Sequence, residues 1–165
     1  MNNNKMRHLA QSAIIAALYV ALTWISNIFG LASLAVQVRL GEALCILPFY
    51  NPSAIPGLFI GCLISNLTMG STPLDIIVGS LATLAGAFFA SKIKNKWLCP
   101  LPTVISNTIF IPLVIMLSYI VEWDNTVYLL TVLGVFAGEM VSAYALGMLL
   151  VFAIEKRPSL KYYLR

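Results

Sequence analysis

Three carboxylates and one guanidinium fall inside or against apolar runs of this chain: Arg39, Glu42, Asp75 and Glu139. A charge in such a setting is costly unless it is paired or serves a ligand. A carboxylate held there can accept several N–H donors at once. The chemistry on offer is therefore recognition of a small polar ligand rather than catalysis. The single histidine, His8, lies in the N-terminal tail, so a histidine triad or a histidine metal site is improbable. Cys45, Cys62 and Cys99 form no CxxC pair and read as small apolar packing residues. No catalytic residue, metal or cofactor is expected.

Each candidate has a plainer alternative. Glu139 lies mid-way through the last apolar run, in Gly134-Val135-Phe136-Ala137-Gly138-Glu139. It either faces an internal cavity and accepts hydrogen bonds from a ligand, or it partners an arginine or a helix terminus. Arg39 and Glu42 are three residues apart and can pair on one helical face, or contact substrate. Asp75 follows Pro73 at a helix start, where a carboxylate can cap free amides. Asn66 and Asn107 lie within apolar helices, where bonding a neighbouring helix is commoner than bonding a ligand. Trp24, Trp97 and Trp123 fall near interfaces and read as belt anchors. Trp123, in the polar turn Glu122-Trp123-Asp124-Asn125, could also stack on a flat ligand. Ala13, Ala17 and Ala21 recur every fourth residue and form a smooth stripe. Such a stripe admits close approach of another helix, from this chain or from a separate subunit.

The elements that must position these residues are membrane helices. Of 165 residues, 60% are apolar and 10% charged, against roughly a quarter charged in ordinary globular domains. The apolar runs recur along the whole length and leave no soluble domain, so one integral membrane domain is expected over 1–165. The net charge of +4 is placed at the ends of those runs, at Lys5 and Arg7, at Lys92, Lys94 and Lys96, and at Lys156, Arg157, Lys161 and Arg165. That placement is a topology signal rather than a nucleic-acid surface. The first run, 9–34, exceeds a signal-peptide core of about 7–15 residues and is expected to be a retained helix.

The positive-inside rule puts both termini and the triple-lysine loop in the cytoplasm and the acidic turn outside. By parity, the stretch from about 41 to 72 then crosses an even number of times. Pro48, Pro52 and Pro56 divide it into a short helix, a tight turn at Tyr50-Asn51-Pro52 and a second helix. The expectation is an all-α membrane protein, a six-transmembrane-helix bundle in the bacterial plasma membrane. Its helices run over about 9–32, 41–49, 53–68, 73–91, 100–121 and 126–154. A short, proline-interrupted pair of this kind often lines a binding cavity.

Several stretches resemble the QueT family of queuosine-precursor transporters: Val38-Arg39-Leu40-Gly41-Glu42-Ala43-Leu44, Leu47-Pro48-Phe49, Ala54-Ile55-Pro56-Gly57-Leu58-Phe59-Ile60-Gly61-Cys62 with Asn66, and Pro73 to Leu84. That family is similar to the substrate-binding S components of energy-coupling factor transporters. The resemblance implies an S-component-like bundle that binds substrate near the outer face and works with a transmembrane coupling subunit and two ATPase subunits. It also implies that the stripe Ala13, Ala17 and Ala21 docks on the coupling subunit. The chain has no glycine-rich phosphate loop ending in Gly-Lys-Ser/Thr, so ATP hydrolysis falls to partners. The implied substrate is a 7-deazaguanine. Its N–H edge and aminomethyl ammonium would suit Glu139, Glu42 and Asp75, with Arg39, Asn66 and Asn107 as further candidate contacts, and its flat ring would suit a wall of Tyr50, Trp123 or Tyr144. Another vitamin, such as riboflavin, biotin or a thiamine-like compound, stands as the alternative substrate, and a stand-alone small-molecule transporter as the alternative design.

Overall fold

The computed structural model describes residues 3–31, 37–119 and 123–157. The expected end of the first helix near residue 32, Glu122 of the acidic turn, and the basic residues Lys161 and Arg165 lie outside these. All elements among the described residues are helical. We number them α1 (Asn3–Ile28), α2 (Leu40–Phe49), α3 (Ala54–Thr68), α4 (Asp75–Ala90), α5 (Leu101–Tyr119) and α6 (Asn125–Glu155). Within these, Lys5–Ile28, Leu101–Tyr119 and Asn125–Glu155 are long and apolar enough to cross a membrane.

Side chains are distributed inside out relative to a soluble protein. Leu117, Leu149 and Leu133 face outward at 68%, 63% and 55% exposure, while Arg39, Glu42, Asp75 and Glu139 are buried. An apolar exterior around a polar interior is stable only in an apolar solvent.

Capping explains where two helices stop. Gly30 and Gly70 follow α1 and α3 with φ of 69° and 71°. Beyond them, the Leu31 amide donates to the Ser26 carbonyl at 2.9 Å and the Ser71 amide to Asn66 at 3.1 Å. This left-handed turn costs glycine little and other residues about 1–2 kcal/mol. At the opposite end of α3, Gly57 and Gly61 let its backbone close on α1. A Cβ on Gly61 would stand 2.8 Å from Tyr19 Cβ and 3.0 Å from the Ala16 carbonyl. This is the small-xxx-small contact of membrane helices.

The centre is α2, with Gly41 to Pro48 all buried. It is a 3₁₀-helix throughout, a geometry that the expectation of a short helix leaves open. Its rise of about 2.0 Å per residue stretches ten residues over about 20 Å, against about 15 Å for an α-helix. Three residues per turn also stack Glu42, Cys45 and Pro48 in a row. Leu44, Cys45 and Leu47 join the core with Ile15, Tyr19, Leu58 and Cys62. Cys45, Cys62 and Cys99 are all free and buried, as packing residues should be.

The ends of the bundle are marked by polar contacts. Lys96 pairs with Glu155 at 2.7 Å, which puts the triple-lysine loop beside the end of α6. At the opposite end Thr72 donates to Ser118 at 3.1 Å, and the Trp24 indole donates to Thr68 at 3.1 Å.

Candidate functional site

All six helices bring buried polar groups to the interior of the bundle. From α2, Glu42 is the best-served acid. Its Oε1 accepts from the Tyr19 hydroxyl of α1 and, at 3.4 Å, from Thr83 of α4. Its Oε2 accepts from the Cys45 thiol at 3.1 Å, one 3₁₀ turn further on. Three donors of the chain therefore satisfy both oxygens.

Arg39, just before α2, reaches the helices beyond it. Its guanidinium lies 3.5 Å from Asp75 Oδ2 and donates to Asn66 Oδ1 at 3.3 Å. Asn66 in turn donates to the Asp75 carbonyl at 3.3 Å. Asp75 opens a π-helical turn, Asp75–Gly79, that leads into the α-helical part of α4. Gly79 leaves room for this pair, since a Cβ there would lie 3.0 Å from Asp75 Oδ1 and 3.3 Å from Asn66 Nδ2.

From α6, Glu139 sits where a regular helix gives way to a π-helical stretch, Met140–Leu146. π turns inside α-helices occur often at functional sites, and here both begin at or beside a buried acid. Asn107 of α5 donates to Glu139 Oε1 at 2.9 Å. Glu139 Oε2, Asn107 Oδ1 and Arg39 Nε are buried without a hydrogen-bond partner among the described residues. A buried, unserved carboxylate oxygen is costly and calls for an explanation. Glu42 and Arg39 both lie within electrostatic reach of Glu139, so the groups form one field. Three acidic side chains therefore share this interior with one guanidinium.

The structure thus gathers Arg39, Glu42, Asn66, Asp75, Asn107 and Glu139. It places the three expected aromatic walls elsewhere. Tyr144 packs with Phe49, Met148 and Val151 in a second apolar cluster, and Tyr50 packs between that cluster and the one that holds Tyr19. Trp123 is 56% exposed and stacks, tilted, on Tyr128 with centroids 5.3 Å apart. Tyr19 is the aromatic residue at the acids, fully buried and bonded to Glu42. Tyr19 and Thr83 had no place among the sequence candidates. The one signal for Tyr19 was its position among the small residues of α1, off the stripe formed by Ala13, Ala17 and Ala21.

That stripe faces outward. Ala13, Ala17 and Ala21 are all exposed. With Leu9, Val20, Ile60 and Ile64 they line an apolar groove of about 570 Å³ between α1 and α3. The groove lies on the outside of the helix pair whose inner side carries Tyr19.

The chain matches the QueT transporter family over residues 9–156. It is 38% identical over 84 residues to the "Queuosine precursor transporter QueT" of Lactococcus lactis subsp. cremoris (strain MG1363). That alignment covers 51% of this chain and spans about half (49%) of the relative's length. No solved structure matches. With nearly all of its helical length inside the family match, the chain belongs to the QueT transporter family.

Proposed function

We propose that this protein is the substrate-binding membrane subunit, or S component, of an energy-coupling factor importer for a queuosine precursor of the 7-deazaguanine class. It crosses the bacterial plasma membrane six times with both termini in the cytoplasm. The observation that carries the binding role is the buried acid excess, with Glu139 Oε2 lacking any partner among the described residues. A cationic ligand rich in N–H donors suits a group of buried acids and fills that acceptor. Family membership and the relative's name support the substrate class. The lysine loop beside the end of α6 supports the orientation, because cationic residues stay on the cytoplasmic side.

The partners in this reading are a transmembrane coupling subunit and two ATPase subunits. The exposed alanine groove is the docking face for the coupling subunit. Ala17→Trp is therefore expected to block assembly with the coupling subunit in a pull-down while leaving ligand affinity intact. Simultaneous loss of both would place the stripe in packing of this chain.

The substrate assignment is tested on the purified protein by melting temperature. A ligand that binds only the folded state raises it by mass action. Aminomethyl-deazaguanine should raise it, whereas riboflavin, biotin and thiamine should not. A shift with one of those vitamins and none with deazaguanines would make this an S component for that vitamin.

A further inference from the structure

Glu42 and Asp75 are both engaged by the chain, Glu42 by three donors and Asp75 by Arg39. Glu139 is the acid with an oxygen still unserved, and its one partner is an amide. That amide is turned with its nitrogen towards Glu139, the orientation an ionised carboxylate favours, since the reverse would set Oδ1 against Oε1. An amide nitrogen carries two hydrogens. One hydrogen goes to Oε1 at 2.9 Å. The other has no acceptor among the described residues.

The pair consequently displays a short row of donor, acceptor and acceptor: the second Nδ2–H of Asn107, then Glu139 Oε1, then Glu139 Oε2. The pyrimidinone edge of a guanine-type ring displays the reverse pattern. Its carbonyl accepts, its ring N–H donates and its 2-amino group donates. A hypoxanthine-type edge lacks the last donor and would leave Oε2 unserved. An adenine-type edge offers an acceptor where Oε1 needs a donor.

We infer that Asn107 and Glu139 together read the carbonyl, ring N–H and 2-amino edge of a guanine-type base, and that Glu139 sets the requirement for the 2-amino group. This rests on the transport reading above and deepens it by assigning one edge of the ligand to two residues. Glu42 with its three donors and the Arg39–Asp75 pair are left to hold the interior together.

The test is equilibrium binding to the purified full-length protein of three ligands: aminomethyl-deazaguanine, its counterpart without the 2-amino group, and its counterpart with a thiocarbonyl in place of the ring carbonyl, which keeps the ring N–H but is a weaker acceptor. A lost hydrogen bond to a charged acceptor corresponds to a roughly 10- to 100-fold loss of affinity. Wild type should show that loss when the 2-amino group is removed. In Glu139→Gln the preference for the 2-amino group should collapse to near unity, because a glutamine amide cannot offer two acceptors. In Asn107→Ala the preference for the carbonyl should fall while the preference for the 2-amino group persists, a signature that general loosening of the bundle would not give. If Glu139→Gln retains the wild-type preference, the assignment is wrong. Wild-type binding that loses less than about threefold without the 2-amino group overturns it as well, and that result needs no variant to fold. Absence of binding by all three ligands overturns the transport reading together with the assignment.

Discussion

Asp75→Ala should lower the stability of the folded protein by about 3–5 kcal/mol, measured as a shift in the unfolding midpoint without ligand. The loss follows from what remains rather than from the contact removed. Arg39 is buried, and its guanidinium would keep only the Asn66 carbonyl oxygen at 3.3 Å. An uncompensated buried charge is among the most expensive defects a fold can carry. The double variant Arg39→Met with Asp75→Leu should recover most of the loss, since both charges leave together. Recovery should stop short of wild type, because Asn66 Oδ1 then loses its donor at a cost of about 1–3 kcal/mol. If the double variant is no more stable than Asp75→Ala, the ion pair is not the source of the defect.

The second large effect is expected at Gly61→Leu. A Cβ already presses on Tyr19 Cβ and on the Ala16 carbonyl at 2.8 and 3.0 Å, so a leucine forces α1 and α3 apart. Overpacking of this kind costs about 1–3 kcal/mol, and here it also moves a residue bonded to the candidate site. Tyr19 is the side chain nearest the intrusion and donates to Glu42. The variant should therefore lose ligand affinity as well as stability, unlike Ala17→Trp, which adds bulk to the outer side of the same helix. Gly30→Ala is the comparison for backbone effects. Nothing lies within 4 Å of its added carbon, so it should lose about 1–2 kcal/mol through the left-handed backbone and keep ligand affinity. Normal affinity in Gly61→Leu would separate the α1–α3 contact from the site.

Much of this architecture is legible in the sequence because a membrane leaves few options. Long apolar runs must be helices, since every backbone group has to be satisfied within the segment. Acids within those runs must turn inward, and Glu42, Asp75 and Glu139 do. What the sequence conceals is partnership. Arg39 and Glu42 are three residues apart and look like a pair, yet Arg39 reaches Asp75 on another helix. Glu42 is already served by Tyr19, Thr83 and Cys45, and its neighbour is free to look elsewhere. Asp75 looks like a helix cap, but Thr72 Oγ1 accepts from the Asp75 amide at 3.3 Å, and the π turn directs the carboxylate inward. Neither the 3₁₀ geometry of α2 nor the two π turns has a signature in residue periodicity. Both arise from packing at the centre of the bundle.

The position of aromatic residues was hidden for a related reason. Tyr144 lies near Glu139 in the chain but packs in a different apolar cluster, and Tyr50 sits between the two clusters, whereas Tyr19 comes from a helix whose visible feature is its alanine stripe. A helix presents two sides, and the stripe drew attention to the outer one.

Uptake measures the central claim most directly. Cells expressing this chain with its coupling and ATPase partners, given labelled aminomethyl-deazaguanine, should accumulate it saturably. Accumulation should fall to background in Ala17→Trp through lost assembly, and in Glu139→Gln it should need roughly 10- to 100-fold more substrate through weakened binding. Accumulation no greater than in cells lacking the chain, with riboflavin, biotin or a thiamine-like compound taken up instead, would contradict the account.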